Sequence, residues 1–332
     1  MKVAFVTGAG GWIGLELVRS LLEDDYFVKA LIRKDNKDLM SLKEIYNEKL
    51  IILKGDLEHI DDWKNEMKGI DCLFHLAAKV HYKPKDQEDI EKMYYINRDC
   101  TIKLFDIASE YKIKKIAFIS TVAVYGKHGS NIITKNTNRK PCTAYAISKN
   151  EAEIYGMNLF EKYGFPISII QPVTVYGGND RGNFKKLYNL AKKGIILTFG
   201  RGDNKKTIIY YKDLVEIIKN IGESESTSGK TFICGSESIT YNNINKKIKE
   251  SCKSKFSIII PNKISRLIIK LLSKSNVKKL ENIASNIETL MCDSVYDITE
   301  SSEFLNSKVN TLFEFWDCEK EYKLKGDNIW SY

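Results

Sequence analysis

No two cysteines in the chain are spaced as C-x-x-C. The seven present, Cys72, Cys100, Cys142, Cys234, Cys252, Cys292 and Cys318, cannot all pair within it. That excludes a disulfide framework and a thiolate zinc site, and it predicts reduced thiols in a cytoplasmic protein. The four histidines, His59, His75, His81 and His128, lack metal-ligand spacing, so no metal is expected. No stretch of about 18 uncharged apolar residues occurs, so no membrane span is expected. MKVAFVTGAG has no cationic segment leading into a long apolar run, so no secretory leader is expected either. There is no internal repeat and no low-complexity linker. The net charge is +9, yet no basic run is interleaved with aromatics. Nucleic acid is therefore not an expected partner. The surplus reads as lysine-rich solvated faces, or as a bias toward an anionic small substrate.

What is present is an alternation. The chain has 332 residues, 43% hydrophobic and 29% charged, enough for one large domain or two coupled ones. Apolar runs at 3–6, 27–32, 50–53, 72–76, 116–119 and 167–170 read as strands. Helical patterns run over 12–23, 86–111 and 144–163. Strands this apolar are buried on both faces, which predicts an α/β fold with a doubly wound parallel sheet. The rhythm loosens after about residue 175.

Residues 7–14 read TGAGGWIG, directly after the first strand and at the opening of a helix. Gly8, Gly11 and Gly14, with Gly10 beside them, meet three demands at once. The chain must turn tightly, the backbone must approach a pyrophosphate, and the helix must pack close to the strand. N–H groups at the helix start, around Trp12 and Ile13, then face the phosphates. Residues 1–175 are therefore expected to form an NAD(P)-binding Rossmann domain. Strands near 207–211 and 231–234 return to its sheet, and residues 176–332 build mainly a smaller, interleaved substrate lobe. The second strand ends ALIRK, where an acidic residue would bond the ribose 2′-hydroxyl and select NAD. Arg33 and Lys34 stand there instead. A guanidinium suits a 2′-phosphate, so NADP is favoured slightly over NAD. The alternative is that Arg33 stacks near the adenine or faces solvent. Asp56, with Leu57 after it, is placed to meet the adenine amino group, to cap a helix, or both.

Residues 145–149 read YAISK, which puts Tyr145 and Lys149 on one helix face. A free tyrosine ionises near pH ~10. A nearby ammonium and a positive nicotinamide ring favour the phenolate and are expected to lower that value. Tyr145 then takes a proton from a hydroxyl while hydride leaves for the nicotinamide, and Lys149 reaches the ribose. Upstream, Ser120 and Thr121 end the fifth strand, where parallel sheets place their ligands. Either hydroxyl is suited to orienting a reacting oxygen or to capping the strand end.

TGAGGWIG, GDL at 55–57, HLAA at 75–78, Asn97, STVAVYG at 120–126, YAISK and QPVTVYG at 171–177 occur in one order. The chain thereby resembles the extended short-chain dehydrogenase/reductase family, in its nucleotide-sugar epimerase/dehydratase branch. The likeness covers residue 1 to about 240, with a fainter echo to about 306. It implies Tyr145 as the acid/base, Lys149 as its partner and Thr121 as the catalytic hydroxyl, with Ser120 adjacent. It implies a cofactor channel lined by Leu76, Ala77, Ala78 and Asn97, with Pro172 closing over the nicotinamide. Family members carry arginine before that proline; here Gln171 stands there. In GNFKKL at 182–187, Asn183 matches a contact to the substrate diphosphate. In DNKKTIIYYKDLV at 203–215, Lys205 or Lys206 matches a second one, while Thr121 and Tyr145 would meet the sugar. The likeness further implies a homodimer paired through helices around 90–110 and 144–162, and a role in surface polysaccharide synthesis.

Three reactions share this machinery. A 4,6-dehydratase needs an Asp-Glu pair straight after the threonine, and Val122 and Ala123 stand there instead. A 4-epimerase acting on a nucleoside-diphosphate sugar with retained NAD fits the residues, as does a 4-ketoreductase consuming NADPH. A reductase of non-sugar ketones would want an apolar lobe. A non-catalytic NAD(P)-binding scaffold would tend to lack the tyrosine or the lysine. Finally, residues 262–281 form a basic amphipathic pattern, expected to pack Ile264, Leu267, Ile268 and Leu271 onto the lobe. The alternative is a helix lying on an anionic membrane.

Overall fold

The computed structural model describes residues 1–306 except 81–83, 127–128, 130, 179–182, 255 and 276. In chain order the first half is β1 (Val3–Thr7), α1 (Trp12–Glu23), β2 (Phe27–Ile32), α2 (Lys37–Ile45), β3 (Leu50–Lys54), β4 (Cys72–His75), α3 (Gln87–Tyr94), α4 (Cys100–Glu110), β5 (Lys115–Ile119) and α5 (Ala144–Tyr163). There follow β6 (Ile167–Pro172), β7 (Thr174–Tyr176), α6 (Asn183–Lys192), β8 (Ile195–Phe199), β9 (Lys205–Tyr210), α7 (Tyr211–Glu223) and β10 (Lys230–Cys234). The chain continues with β11 (Glu237–Thr240), α8 (Tyr241–Cys252), β12 (Phe256–Ile260), α9 (Asn262–Ser273), α10 (Lys278–Met291) and α11 (Thr299–Ser302).

Seven strands form one parallel sheet in the order β3-β2-β1-β4-β5-β6-β10. This is the Rossmann arrangement with a seventh strand added at one edge. The order reverses between β1 and β4, so the crevice that receives a ligand opens at their carboxyl ends. One face is covered by α1, α2 and α7, where Leu17, Val18 and Leu21 meet Leu214, Ile217 and Ile221. The other face is covered by α4 and α5, where Leu104, Phe105 and Ala152 meet Phe118 and Ile167. Helix starts follow side-chain caps: Asn36 accepts from Leu39 N–H, Asp86 from Asp89 N–H and Thr143 from Ala146 N–H. α5 stops at Gly164, whose φ of 69° is left-handed.

Three expectations are corrected. The run 86–111 is not one uninterrupted α-helix: Tyr95–Asp99 forms a π-helical turn between α3 and α4. The run 207–211 does not return to the large sheet. The place beside β6 is taken by β10, and β9 instead pairs with β7 and β11 in a second, three-stranded sheet. The segment 262–281 is split after Ser273, and α9 is rotated so that Ser265 faces inward. Ile264, Leu267 and Leu271 are left exposed, contrary to the packing expected of them. The smaller lobe keeps its own core around Tyr176, Tyr188, Tyr241 and Ile248, while α7 and β10 belong to the layers of the large sheet.

Candidate active site

A cleft of about 2050 Å³ runs across the carboxyl ends of the strands. Single-ligand pockets hold roughly 300–1,000 Å³, so this one has room for a dinucleotide and a second ligand together. Its floor is the glycine turn. Gly8 has φ +72°, and a Cβ there would stand 2.7 Å from the Ala77 nitrogen. A Cβ at Gly14 would stand 2.2 Å from the Gly8 carbonyl oxygen, so α1 can approach β1 this closely only without one. Gly11 caps α1 without a side-chain hydrogen bond, and Gly10, Gly11, Trp12 and Ile13 line the cleft. The N–H groups of the first turn are thereby left for an anion. These features fit a dinucleotide pyrophosphate.

At the adenosine end, Arg33, Lys34, Asp56 and Leu57 line the cleft. Arg33 is exposed, with its guanidinium 3.8 Å from the Asp56 carboxylate. Asp56 also accepts from Glu58 N–H at 3.2 Å, so it is a helix cap as well as a wall residue. Leu76, Ala77 and Ala78 form the wall after β4, and Pro172 stands across from them. Asn97 does not reach the cleft. It is fully buried in the π-turn, where it accepts from Lys79 N–H at 2.7 Å and donates to Lys79 O at 3.1 Å. Its amide is spent on clamping the loop that carries Ala77 and Ala78. His75 is also buried, hydrogen-bonded to Thr7 at 2.7 Å and to Thr101 at 3.0 Å, and stacked on Phe118. Burial holds its imidazole well below the usual range.

Tyr145, Lys149, Ser120 and Thr121 all line the same cleft. The Thr121 side chain lies beside the Tyr145 phenol and favours its ionised form. It also accepts from Ala123 N–H at 3.2 Å, which fixes its rotamer. Lys149 is 1% exposed, with its ammonium 4.0 Å from the Phe118 ring centre. Burial pulls Lys149 down to about 7, against an upward pull from Glu153. Burial likewise pushes Tyr145 up to about 12, with the Thr121 side chain pulling the other way. The downward shift expected of Tyr145 is therefore not produced by the protein's own groups: desolvation of the phenolate outweighs them.

Sequence reasoning missed the residue behind this pair. Glu153 continues the stripe of Tyr145 and Lys149 at the same four-residue spacing and is completely buried. Ser120 donates to its Oε1, so the Ser120 hydroxyl is held by the carboxylate. Gln171 donates to both Glu153 oxygens, at 3.0 and 2.8 Å, and accepts from the Tyr125 hydroxyl at 2.9 Å. Arg139 pairs with the same carboxylate at 2.8 Å. Gln171 thus leaves the neutralising charge to a guanidinium that arrives from a loop thirty-two residues earlier in the chain. Burial raises the Glu153 carboxyl, and Arg139 first among its partners opposes this.

The residues expected to hold a substrate diphosphate fare differently. Lys206 points away from the cleft: its ammonium donates to Thr289 O, Cys292 O and Ser294 Oγ, closing the end of α10. Lys205 is exposed and does not line the cleft, its N–H bonded to Asp293. Both are committed by β9, which pairs with the lobe's own strands rather than with the large sheet. Asn183 opens α6, but its side chain lies outside the described residues, as do His81 and Tyr82. The cations that do line this end are Lys186 on α6 and Lys212 at the start of α7.

A sequence profile of the NAD dependent epimerase/dehydratase family matches residues 4–235. The UDP-glucose 4-epimerase of Vibrio cholerae is 30% identical over 239 residues, spanning 70% of each chain. The dTDP-D-glucose 4,6-dehydratase of Mus musculus is 29% identical over 65% of this chain and 63% of its own. Among solved structures, a UDP-glucuronic acid 4-epimerase from Bacillus cereus in complex with NAD superposes with a TM-score of 0.76 at 22% identity, covering 99% of this chain and 100% of that one. A UDP-glucose 4-epimerase from Thermotoga maritima gives 0.75 at 21% identity, covering 98% and 99%. The profile match takes in the glycine turn, the strand-end hydroxyls and the tyrosine–lysine helix alike, and the chain belongs to the NAD dependent epimerase/dehydratase family of enzymes.

Proposed function

We propose that the protein is an NAD(P)-dependent 4-epimerase of a nucleoside-diphosphate sugar. The observation that carries this reading is the meeting of Thr121, Tyr145 and Lys149 in one cleft, with Val122 and Ala123 following the threonine. Two aliphatic side chains cannot transfer the protons that eliminating water requires, which sets the dehydratase aside. When bound, the nicotinamide cofactor supplies a hydride acceptor and donor. The glycine turn and the first turn of α1 hold its pyrophosphate, and Ala77, Ala78 and Pro172 flank its path. Tyr145 takes the proton from the sugar hydroxyl and later returns it. Thr121 stands beside the phenol and favours its ionised form, and Lys149, one helical turn further along α5, reaches the cofactor ribose. Glu153, held by Arg139 and Gln171, keeps Ser120 in place from behind and favours the charged form of Lys149. Lys186 and Lys212, which line the cleft, supply positive charge for a substrate diphosphate, Lys212 sharing its own with Glu16 on α1.

Arg33 and Lys34 support a second reading, an NADPH-dependent 4-ketoreductase. The exposed guanidinium suits a 2′-phosphate, so Arg33→Ala should weaken NADPH binding by about tenfold or more while NADH changes little. Equal losses in titrations with both cofactors would remove the case for NADP. The two reactions separate on the cofactor that leaves the denatured, purified protein, identified by mass spectrometry. Stoichiometric NAD supports the epimerase; an empty protein that binds NADPH reversibly supports the reductase. The homodimer belongs to the same proposal. Tyr95 and Ile154 are exposed on the helices that would pair. A cytoplasmic location and a role in polysaccharide synthesis are proposed with it.

A further inference from the structure

The outer edge of the smaller lobe carries a face that the proposed chemistry does not use. On α9, Ile264, Leu267 and Leu271 are 50%, 55% and 63% exposed. Their spacing of three and four sets them in one line along the helix. Lys263, Arg266, Lys270 and Lys274 form a parallel line beside them at the same spacing. All four are exposed, and among the described residues none has an ion-pair partner. No acidic residue occurs between 262 and 274. The strand just before, β12, adds Phe256, Ile258 and Ile259 at 65%, 46% and 64% exposed. Apolar side chains scattered singly on a surface need no explanation, but six large ones on two consecutive elements do.

We propose that the β12–α9 edge docks this protein on an anionic lipid bilayer surface. A helix lying in the interface buries an apolar stripe at the acyl boundary and extends its lysine and arginine heads to the phosphates. At twelve residues α9 spans about 18 Å, enough to lie in that layer and too short to cross it. Charge complementarity selects the occupant. A symmetric contact with a second copy through α9 would set cations against cations. A bilayer with anionic headgroups supplies the missing counter-charge along the whole stripe. The placement also bears on the cleft: α10 packs against α9, and its Glu281 and Asn282 stand at the cleft rim. This inference does not depend on which sugar reaction the cleft performs.

Flotation of the full chain with vesicles tests it. The protein should float with mixed phosphatidylcholine–phosphatidylglycerol vesicles at low salt, and should stay behind with phosphatidylcholine alone or in high salt. Leu267→Glu with Leu271→Glu should lower the bound fraction by about tenfold or more. Arg266→Glu with Lys270→Glu, which leaves the apolar stripe intact, should do the same. Melting temperature and elution volume without lipid should stay unchanged in both variants. Absence of flotation, or equal flotation of parent and variants, overturns the proposal. A melting temperature or elution volume altered by Leu267→Glu/Leu271→Glu without lipid also overturns it, since the face would then be covered by protein.

Discussion

At the residue scale, the site turns on three ionisable groups that share one stripe of α5, Lys149 and Glu153 buried and Tyr145 half-buried at the cleft. Lys149 sits at about 7 because burial penalises its ammonium. In the unfolded chain it stays protonated up to the ordinary lysine value of 10.5. Between those two values the unfolded chain binds more protons than the folded one, so stability rises with pH across that window. Removing the lysine removes this dependence. The unfolding free energy of the parent should therefore climb relative to Lys149→Met from pH 7 toward pH 10, measured by urea denaturation at several pH values. A constant difference would mean that Lys149 is charged in the fold throughout. Arg139 belongs to the same scale. Deleting one partner of a buried carboxylate costs about 3 kcal/mol, more than an exposed pair ever returns. Arg139→Ala should lose about that much stability by chemical denaturation, and should lose turnover too, because the Glu153 it pairs with holds the Ser120 hydroxyl beside Thr121. A loss below about 0.5 kcal/mol would show that Gln171 alone satisfies the carboxylate.

At the element scale, the strand–turn–helix unit at the N-terminus is the most constrained piece of the fold. Gly14→Ala places a methyl 2.2 Å from the Gly8 carbonyl oxygen, with backbone rather than flexible side chain to yield. α1 must then lift off β1. The variant should bind dinucleotide at least about tenfold more weakly and lose roughly 1–3 kcal/mol of stability, read by cofactor titration and thermal melting. Unaltered binding would show that α1 does not need to approach β1 this closely. This unit was legible in the sequence because one local motif dictates it. The six strands of the first half were legible too, since each is a short apolar run, although the edge strand β3 buries only Leu50 fully. The π-turn at 95–99 was not, because its register depends on Asn97 reaching the Lys79 backbone, a contact eighteen residues distant. Nor was the partner choice of β9: Thr207 to Tyr210 reads as a buried strand in either sheet, and only the presence of β10 beside β6 decides between them.

At the scale of the whole molecule, the large sheet contributes the cofactor floor and the smaller lobe contributes the opposite rim. The proposed catalytic pair, Tyr145 and Lys149, lines the cleft from α5. Tyr145 and Lys149 could be paired from spacing within one short segment, whereas Thr121 was set apart from Ser120 only by the family resemblance. Glu153 was within reach of the same helical spacing. Arg139 and Gln171 were not, because they meet Glu153 only once β6, α5 and the loop before α5 are assembled. Lys205 and Lys206 were misplaced for the complementary reason: a sequence segment can resemble a binding segment while its strand pairs elsewhere. The most direct measurement on the central claim compares parent and Tyr145→Phe in hydride transfer to bound NAD(P) from a panel of nucleoside-diphosphate sugars. Cofactor affinity is read on the same samples. The proposed chemistry predicts a rate loss of about a hundredfold or more with cofactor binding retained, since the ring stays and only the proton carrier goes. Turnover in Tyr145→Phe equal to that of the parent would contradict it.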